Sequence, residues 1–273
     1  MPDIRYAQNE NVDRGDLRMQ VIERGTSTPI DDAKISISYS GDPDSTVEEV
    51  NTDASGMSET LTLDTPPLEL SMQPSEVQPY AEYTIQVTAK GYRPINISGI
   101  EVFSGQLSLQ EIRMDAEETT ESMTDNIVIP AHTLFAEYPP KIAEAEIKPV
   151  TETGEIVLSR VVIPEYVIVH DGAPSDPTAR DYYVRYRDYI KNVASSEIYS
   201  TWPDATIRAN VLAIMSFTLN RVYTEWYRNK GYSFTITSST AYDQKFMYGR
   251  NIYQSISDVV DEMFQNYLSL SLI

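Results

Sequence analysis

Between Asp16 and Met114 apolar and polar residues alternate with a period of two, and after Asp181 the period lengthens to that of a helix. A period of two sends successive side chains to opposite faces of a pleated strand, whereas i, i+3, i+4, i+7 spacing lines them along one helical stripe. Neither pattern substitutes for the other, so this change of period constrains the fold more than any motif. The alternating set is Leu17, Met19 and Val21 in LRMQVIE, and Ile35, Ile37 and Tyr39 in KISISYS. LTLD, LELSM, YTIQVTA and LSLQEIRM read as further strands, divided by the turn clusters GDPD, TDASG and AKGYRP, with Pro29 and Pro94 in connections. Short strands at this spacing predict an all-β sandwich.

The stretch Asp115 to Asn126, DAEETTESMTDN, is acidic and without periodicity, and reads as an exposed linker open to proteolytic nicking. Apolar bursts follow in IVIP, EIVLSRVVIP and YVIVH, split by prolines, which suggest a few strands or an extended wrap. Helical spacing then places one helix over Tyr186 to Glu197 and a second starting at Pro203. The second helix carries apolar residues on more than one face. A third runs from Ile252 through Ile256, Val259, Val260, Met263 and Phe264 to Tyr267. The expected organisation is α+β, with a sandwich over 1–115, an acidic linker and extended segment over 116–180, and a mainly helical domain over 181–273.

Charge divides the chain the same way. Residues 1–115 hold 20 acidic and 8 basic side chains, 116–180 hold 12 and 4, and 181–273 hold 9 and 9, within a formal net charge of -20. Such a chain repels nucleic acid and anionic lipid, so neither is an expected partner. With no cysteine, thiolate zinc sites, disulfides and a cysteine nucleophile are excluded, and only His132 and His170 offer imidazole chemistry. The opening MPDIRYAQNENVDRGD is polar and acidic, unlike a signal peptide, and VLAIMSF is too short to span a bilayer.

One residue departs from its pattern. Tyr186, Tyr189, Ile190, Val193 and Ala194 form the apolar stripe of the first helix, and the next position on that stripe is Glu197. A carboxyl there loses solvation for its charged form, so its pKa should rise toward neutrality, which prepares it to protonate a leaving glycosidic oxygen. A hydrolase adds a second carboxylate, for which Asp204 and Asp243 are the candidates. A lytic transglycosylase needs only one, because the sugar's own hydroxyl replaces water. The plain alternative is a glutamate solvated at a helix end, or paired with Lys191 or Arg208.

The order TPIDDAKISI, TDASG, YTIQVTAKGYRP resembles the transthyretin-like, carboxypeptidase-regulatory sandwich. YIKNVASSEIYSTWPDATIRANVLAIMSFTLNRVYTEWY resembles the core of the stage II sporulation protein D domain, where a Tyr-Leu-Lys helix leads to a Ser/Gly-Glu-Met step, Ser-Trp-Pro and a long helix. With VIVHDGAPSD and TEWYRNKGYSFTITSSTAYDQKFMYGRNIY, the chain is similar to the clostridial spore-cortex-lytic enzyme (SleC) family over nearly its whole length. The resemblance implies lytic transglycosylase cleavage of spore-cortex peptidoglycan during germination, without a cofactor or metal. It also implies synthesis in the mother cell as a precursor, location in the cortex and coat region of the spore, and an activating protease. Glu197 matches the catalytic glutamate and Gln244 a loop glutamine. Arg208 and Asn210 stand where sporulation proteins tend to carry lysine and glutamine. These last three, with Tyr242 and Asp243, are expected to line the glycan cleft.

Met215 replaces an arginine of the sporulation domain, and a glycine- and serine-rich stretch that completes that domain in the family is expected to be missing after Ile273. Two other readings therefore stand beside the enzyme: a non-catalytic peptidoglycan-binding or amidase-enhancer-like sporulation protein, and a structural sandwich with a helical tail.

Overall fold

A computed structural model describes residues 12–117, 124–143 and 157–268. The elements in chain order begin with strands β1 (Asp13–Glu23), β2 (Lys34–Tyr39), β3 (Asp42–Asn51) and β4 (Leu61–Thr65), then helix α1 (Glu69–Met72). Strands β5 (Ala81–Thr88), β6 (Ile95–Val102), β7 (Leu107–Met114), β8 (Asp125–Val128), β9 (Tyr166–His170) and β10 (Asp181–Arg185) follow. The rest comprises helices α2 (Tyr186–Glu197) and α3 (Asp204–Tyr223), strands β11 (Ile236–Thr237) and β12 (Ile252–Tyr253), and helix α4 (Gln254–Met263). The fold is α+β, mostly sheet with few helices.

The chain forms two compact units. One comprises the residues up to Ala131 together with Tyr199–Trp202 and Tyr248–Ser255; the other comprises His132–Ile198, Pro203–Met247 and the residues from Ile256 onward. The first is a β-sandwich. Its sheets have the orders β12-β7-β1-β4 and β3-β2-β5-β6-β8, and they enclose one core. Leu17, Met19 and Val21 of β1 are fully buried in it with Ile35 and Ile37 of β2, Ile85 and Val87 of β5 and Ile112 of β7. Lys34, Gln86 and Glu111, one position out of phase, are exposed. The alternation predicted a two-faced sheet because burying such side chains yields about 1.5–3 kcal/mol each and only one face can be covered.

Three expectations for this unit change. LELSM is not a strand: α1 forms there, with Leu70 N–H donating to Pro67 O (3.1 Å) and Ser71 N–H to Leu68 O (3.0 Å). The proline pair before it presets the backbone for a helical turn. GDPD is the turn only at Gly41, and Asp42 already opens β3, with register shifts at Ile37/Ser38 and Ser38/Tyr39 as a bulge in the pairing. β3 lies at the edge of its sheet and is largely exposed, so it shows no alternation to read. Finally, the sandwich does not stop at 115. Residues 118–123 of the linker lie outside the described residues, but β8 adds in parallel to β6, and the buried Ile129 donates its N–H to Ser98 O at 2.9 Å. Gly99, at φ +81°, makes this approach possible, since a Cβ there would stand 2.2 Å from Ile129 O.

Residues 248–255 are the unexpected part of the sandwich. Ile252, expected in a helix, pairs with Leu109, and Tyr253 pairs with Ser108 at the open edge of β7. Asn251 donates to Glu101 O (2.9 Å) and accepts from Glu101 N–H (3.3 Å), while Gln110 donates to Gly249 O (3.0 Å). The Glu101 carboxylate, fully buried, meets the buried Arg250 guanidinium and accepts from Tyr253 OH at 2.9 Å. Burial pushes that carboxyl up to about 7 against the opposing pull of Arg250 and Tyr253. Phe103 packs its ring against Tyr80, Tyr199 and Tyr253 at 5.2, 5.3 and 5.4 Å, and Trp202 donates its indole N–H to Ser71 O at 3.1 Å.

In the second unit β9 lies between β10, antiparallel, and β11, parallel. YVIVH, offered by the sequence as a strand or part of an extended wrap, is thus the central strand of a sheet. Glu155 and Ile156 of EIVLSRVVIP lie outside the described residues, and 157–164 contribute no strand. Helix α2 has the predicted bounds and buries Tyr189, Ile190, Val193 and Ala194 completely. Pro203 precedes α3 by one position instead of opening it, its carbonyl accepting from Thr206 (2.8 Å) and Ile207 (3.1 Å). Among the described residues no helix is long and apolar enough to cross a membrane.

A sandwich assembled from three separate stretches of chain does not come apart at one cut. Cleavage between 115 and 126 is expected to leave both fragments co-eluting on size exclusion in native buffer and separating only in denaturant. Separation in native buffer would show that 199–202 and 248–255 do not hold.

Candidate functional site

Glu197 is the last residue of α2, where the helix delivers a half-buried carboxyl at the end of its apolar stripe. Its Oε1 accepts the backbone N–H of Lys245 at 2.7 Å. Burial pushes this carboxyl up to about 7, while the Lys245 N–H and the Lys141 charge pull it partly back. The amide of Asn192, one turn earlier, donates to Met247 O (2.8 Å) and accepts from Met247 N–H (2.9 Å), clamping the loop that carries Lys245 onto α2. Residues 132–142 pass the same helix end. Thr133 donates its N–H (3.3 Å) and hydroxyl (2.7 Å) to Ser196 O, and Ile142 N–H donates to Ala241 O at 2.7 Å. The ammonium of Lys141 lies 4.4 Å over the ring of Phe217, and that of Lys245 lies 5.2 Å over Tyr138.

The other sequence candidates divide sharply. The Asp243 carboxylate is fully buried. It pairs with Arg221 at 2.7 Å and accepts from Tyr227 OH (2.6 Å), Thr237 N–H (2.9 Å) and Thr237 OH (2.7 Å). With its lone pairs occupied and its charge matched, it cannot act as the second carboxylate beside Glu197. Gln244 is equally enclosed: its Oε1 accepts from Thr218 (2.8 Å) and Tyr189 (3.3 Å), and its Nε2 donates to Ile214 O (3.1 Å). It ties α2 to α3 and lines neither the cleft at Tyr242 nor that at Trp226. Arg208 is held by Asp204 and Glu262, both at 2.6 Å, and Asn210 donates to Thr206 O at 2.9 Å on its own helix. Among the described residues neither bonds to Glu197. Asp204, the other possible second carboxylate, is likewise committed to Arg208.

Tyr242 is the candidate that does face a cavity. Its backbone carbonyl accepts from Arg221 at 3.2 Å, and with Pro174, Ser175, Tyr227, Lys230 and Tyr232 it lines a cleft of about 200 Å³. A smaller cleft of about 110 Å³ is lined by Arg221, Glu225, Trp226 and Phe234 among others. Glu197 lines neither of these two. Met215 is fully buried and belongs to the core. No group of three metal-ligating side chains occurs among the described residues.

Sequence reasoning passed over Lys245, Asn192, Arg221 and Tyr227. For Arg221 there was a signal, a lone cation inside the apolar run FTLNRVY, and for Asn192 an amide beside the core stripe. Lys245 contributes through its backbone, which no side-chain pattern reveals.

No protein-family model matches the chain, and no curated protein sequence matches it. Among solved structures it is similar to the TIE protein of Bacillus anthracis, with 15% identity over 38% of this chain and 17% of that one, at a TM-score of 0.27. The 5-hydroxyisourate hydrolase of Klebsiella pneumoniae matches at 17% identity over 38% of this chain and 92% of that one, at 0.25. GBS52, the minor pilin of Streptococcus agalactiae, matches at 11% identity over 45% and 50%, at 0.28. This chain therefore spans about a sixth of the first protein's length and half of the third's. At such low agreement the assignment of the sandwich rests on its own two sheets and shared core.

Two outcomes follow from these contacts. Arg221→Ala and Asp243→Ala each remove one partner of a buried pair and should cost about 3–5 kcal/mol in urea unfolding, with the double variant well short of the sum. Glu197, whose carboxyl sits above its ordinary 4.5 in the folded chain, holds its proton more tightly when folded. Stability should therefore fall as pH rises from about 4.5 to 7, and Glu197→Gln should lessen that fall by about 1–2 kcal/mol, allowing for partial exposure.

Proposed function

We propose that this chain cleaves the glycan strands of spore-cortex peptidoglycan by lytic transglycosylation, with Glu197 as acid and then base. The observation that carries the proposal is a half-buried carboxyl whose pKa is raised to about 7 at the end of an apolar helical stripe. That position coincides with the catalytic glutamate implied by the resemblance to the SleC family. In the reaction Glu197 gives its proton to the glycosidic oxygen as the C1–O bond breaks. The C6 hydroxyl of the same muramoyl residue then bonds to C1 and returns its proton to Glu197, leaving a 1,6-anhydro end. A single carboxylate is sufficient for this sequence, which accords with the commitment of Asp243 and Asp204 to arginines.

In the same proposal the sandwich is of the transthyretin-like, carboxypeptidase-regulatory type, and the helical unit is a relative of the stage II sporulation protein D domain. The protein is laid down at the spore from the mother cell and matured by a protease. A cut in the linker would then act as a nick, since 248–255 belong to the sandwich.

One observation favours the second reading, a non-catalytic, amidase-enhancer-like glycan binder: the cleft of about 200 Å³ is not lined by Glu197.

The test is muropeptide analysis of cortex peptidoglycan treated with the whole chain and, in parallel, with Glu197→Gln. Anhydro-muramic ends are expected from the wild type only, with the rate falling about tenfold per pH unit above 7 as Glu197 loses the proton it must donate. Reducing ends would replace transglycosylation by hydrolysis. Binding to sacculi without any product would leave only the second reading.

A further inference from the structure

We infer that the cleft enclosed by Pro174, Ser175, Tyr227, Lys230, Tyr232 and Tyr242 is a carbohydrate subsite that takes one pyranose ring of an N-acetylated glycan. The inference rests on the glycan part of the proposed function, not on the catalytic part. Its volume, about 200 Å³, lies below the roughly 300–1,000 Å³ of pockets for drug-sized ligands and suits a single ring. The half-buried Tyr232 and Tyr242, with Pro174, supply apolar surface for the C–H side of a sugar, and the buried Tyr227 completes the lining. Ser175, Lys230 and the half-buried Tyr232 and Tyr242 add polar groups that match a sugar's own hydroxyls and amide, whereas the Tyr227 hydroxyl is committed to Asp243. One cation, already 4.0 Å over the Trp226 ring, is too little for a phosphate cradle.

The walls are built before any ligand arrives. Pro174 and Ser175 belong to a loop closed by hydrogen bonds from Asp171 N–H to Arg180 O and from Asp176 N–H to Ala173 O, both 2.9 Å. Half-way along it, Asp176 O is 3.1 Å from Nε2 of His170, whose Nδ1 is 2.7 Å from Asp181. The Tyr227 hydroxyl is fixed on Asp243 at 2.6 Å, and the Tyr232 ring is wedged against Tyr227 and Phe234 at 6.0 and 5.1 Å. Tyr242, next to Asp243 in the chain, inherits its rigidity from that buried ion pair. Among the described residues no aromatic ring stacks on Tyr242, whose phenol is half-buried. Walls fixed in advance lose little entropy on binding, the condition under which a small cleft holds a small ring.

The experiment is binding of N-acetylglucosamine tetramer to the whole chain by calorimetry and saturation-transfer NMR. Wild type and Glu197→Gln should bind alike, with transfer to the sugar C–H protons. Tyr242→Ala and Tyr232→Ala should each weaken binding roughly tenfold, the scale of one aromatic contact. Tyr242→Phe, which keeps the ring, should stay close to wild type, and unchanged melting curves would exclude misfolding as the cause. Equal affinity in wild type and both alanine variants, or no binding by a wild type that cleaves cortex, would overturn the subsite while sparing the proposed function. Tyrosine-dependent binding in a chain whose Glu197→Gln variant still cleaves would sink the catalytic reading and leave the subsite standing.

Discussion

Asp243 and Arg221 share a place from which water is excluded, and the arrangement of the second unit's polar loops depends on that pair. A buried carboxylate without its guanidinium would be among the costliest groups in the molecule, so the loop around it has little freedom. Because Asp243 also accepts from Tyr227 and Thr237, one side chain gathers the end of α3, the turn beyond it and strand β11. Two residues along the chain, Lys245 then offers its N–H to Glu197, and one residue back Tyr242 faces the cleft. The carboxylate that sequence reasoning offered as a possible catalyst serves instead to position others.

The sandwich contains a corresponding node of its own. Glu101, Arg250 and Tyr253 form a buried polar cluster at the edge of β7, in a layer otherwise filled by Phe103 and the tyrosines around it. Such clusters contribute little net stability but penalise every alternative pairing, because any other register would leave a charge unmatched. This accounts for a two-residue strand holding its register at a sheet edge. It also explains why a boundary drawn from composition at residue 115 does not coincide with the limits of the compact units.

Glu197 is a carboxyl of adjustable charge. Burial raises Glu197 toward neutrality, and the Lys245 N–H and Lys141 limit the rise, which leaves the group able to give and take a proton near pH 7. The two carboxylates considered as its partners, Asp204 and Asp243, are instead paired with arginines. The tyrosine cleft and Glu197 share a loop, so whatever orders that loop orders both.

Period-two alternation in LRMQVIE and KISISYS was sufficient to place their strands and inward faces, because a strand half exposed to water must alternate. The i, i+3, i+4, i+7 stripe likewise gave α2 its full extent and marked Glu197 as the residue out of pattern. Those features are local, and local sequence determines them. Edge strand β3, the helical turn at Glu69–Met72 and the strand at Ile252–Tyr253 were illegible, since each depends on what lies beside it and not on its own periodicity. The same holds for the site. The sequence marked Glu197 as a carboxyl on an apolar helical stripe, a position from which its partial burial follows. Only the tertiary structure decided that Asp243 and Gln244 are core, that Arg208 is held by Asp204 and Glu262, and that Tyr242 faces a cavity. The reason is physical: a polar side chain's role is set by the partners that replace its water, and those partners come from distant parts of the chain.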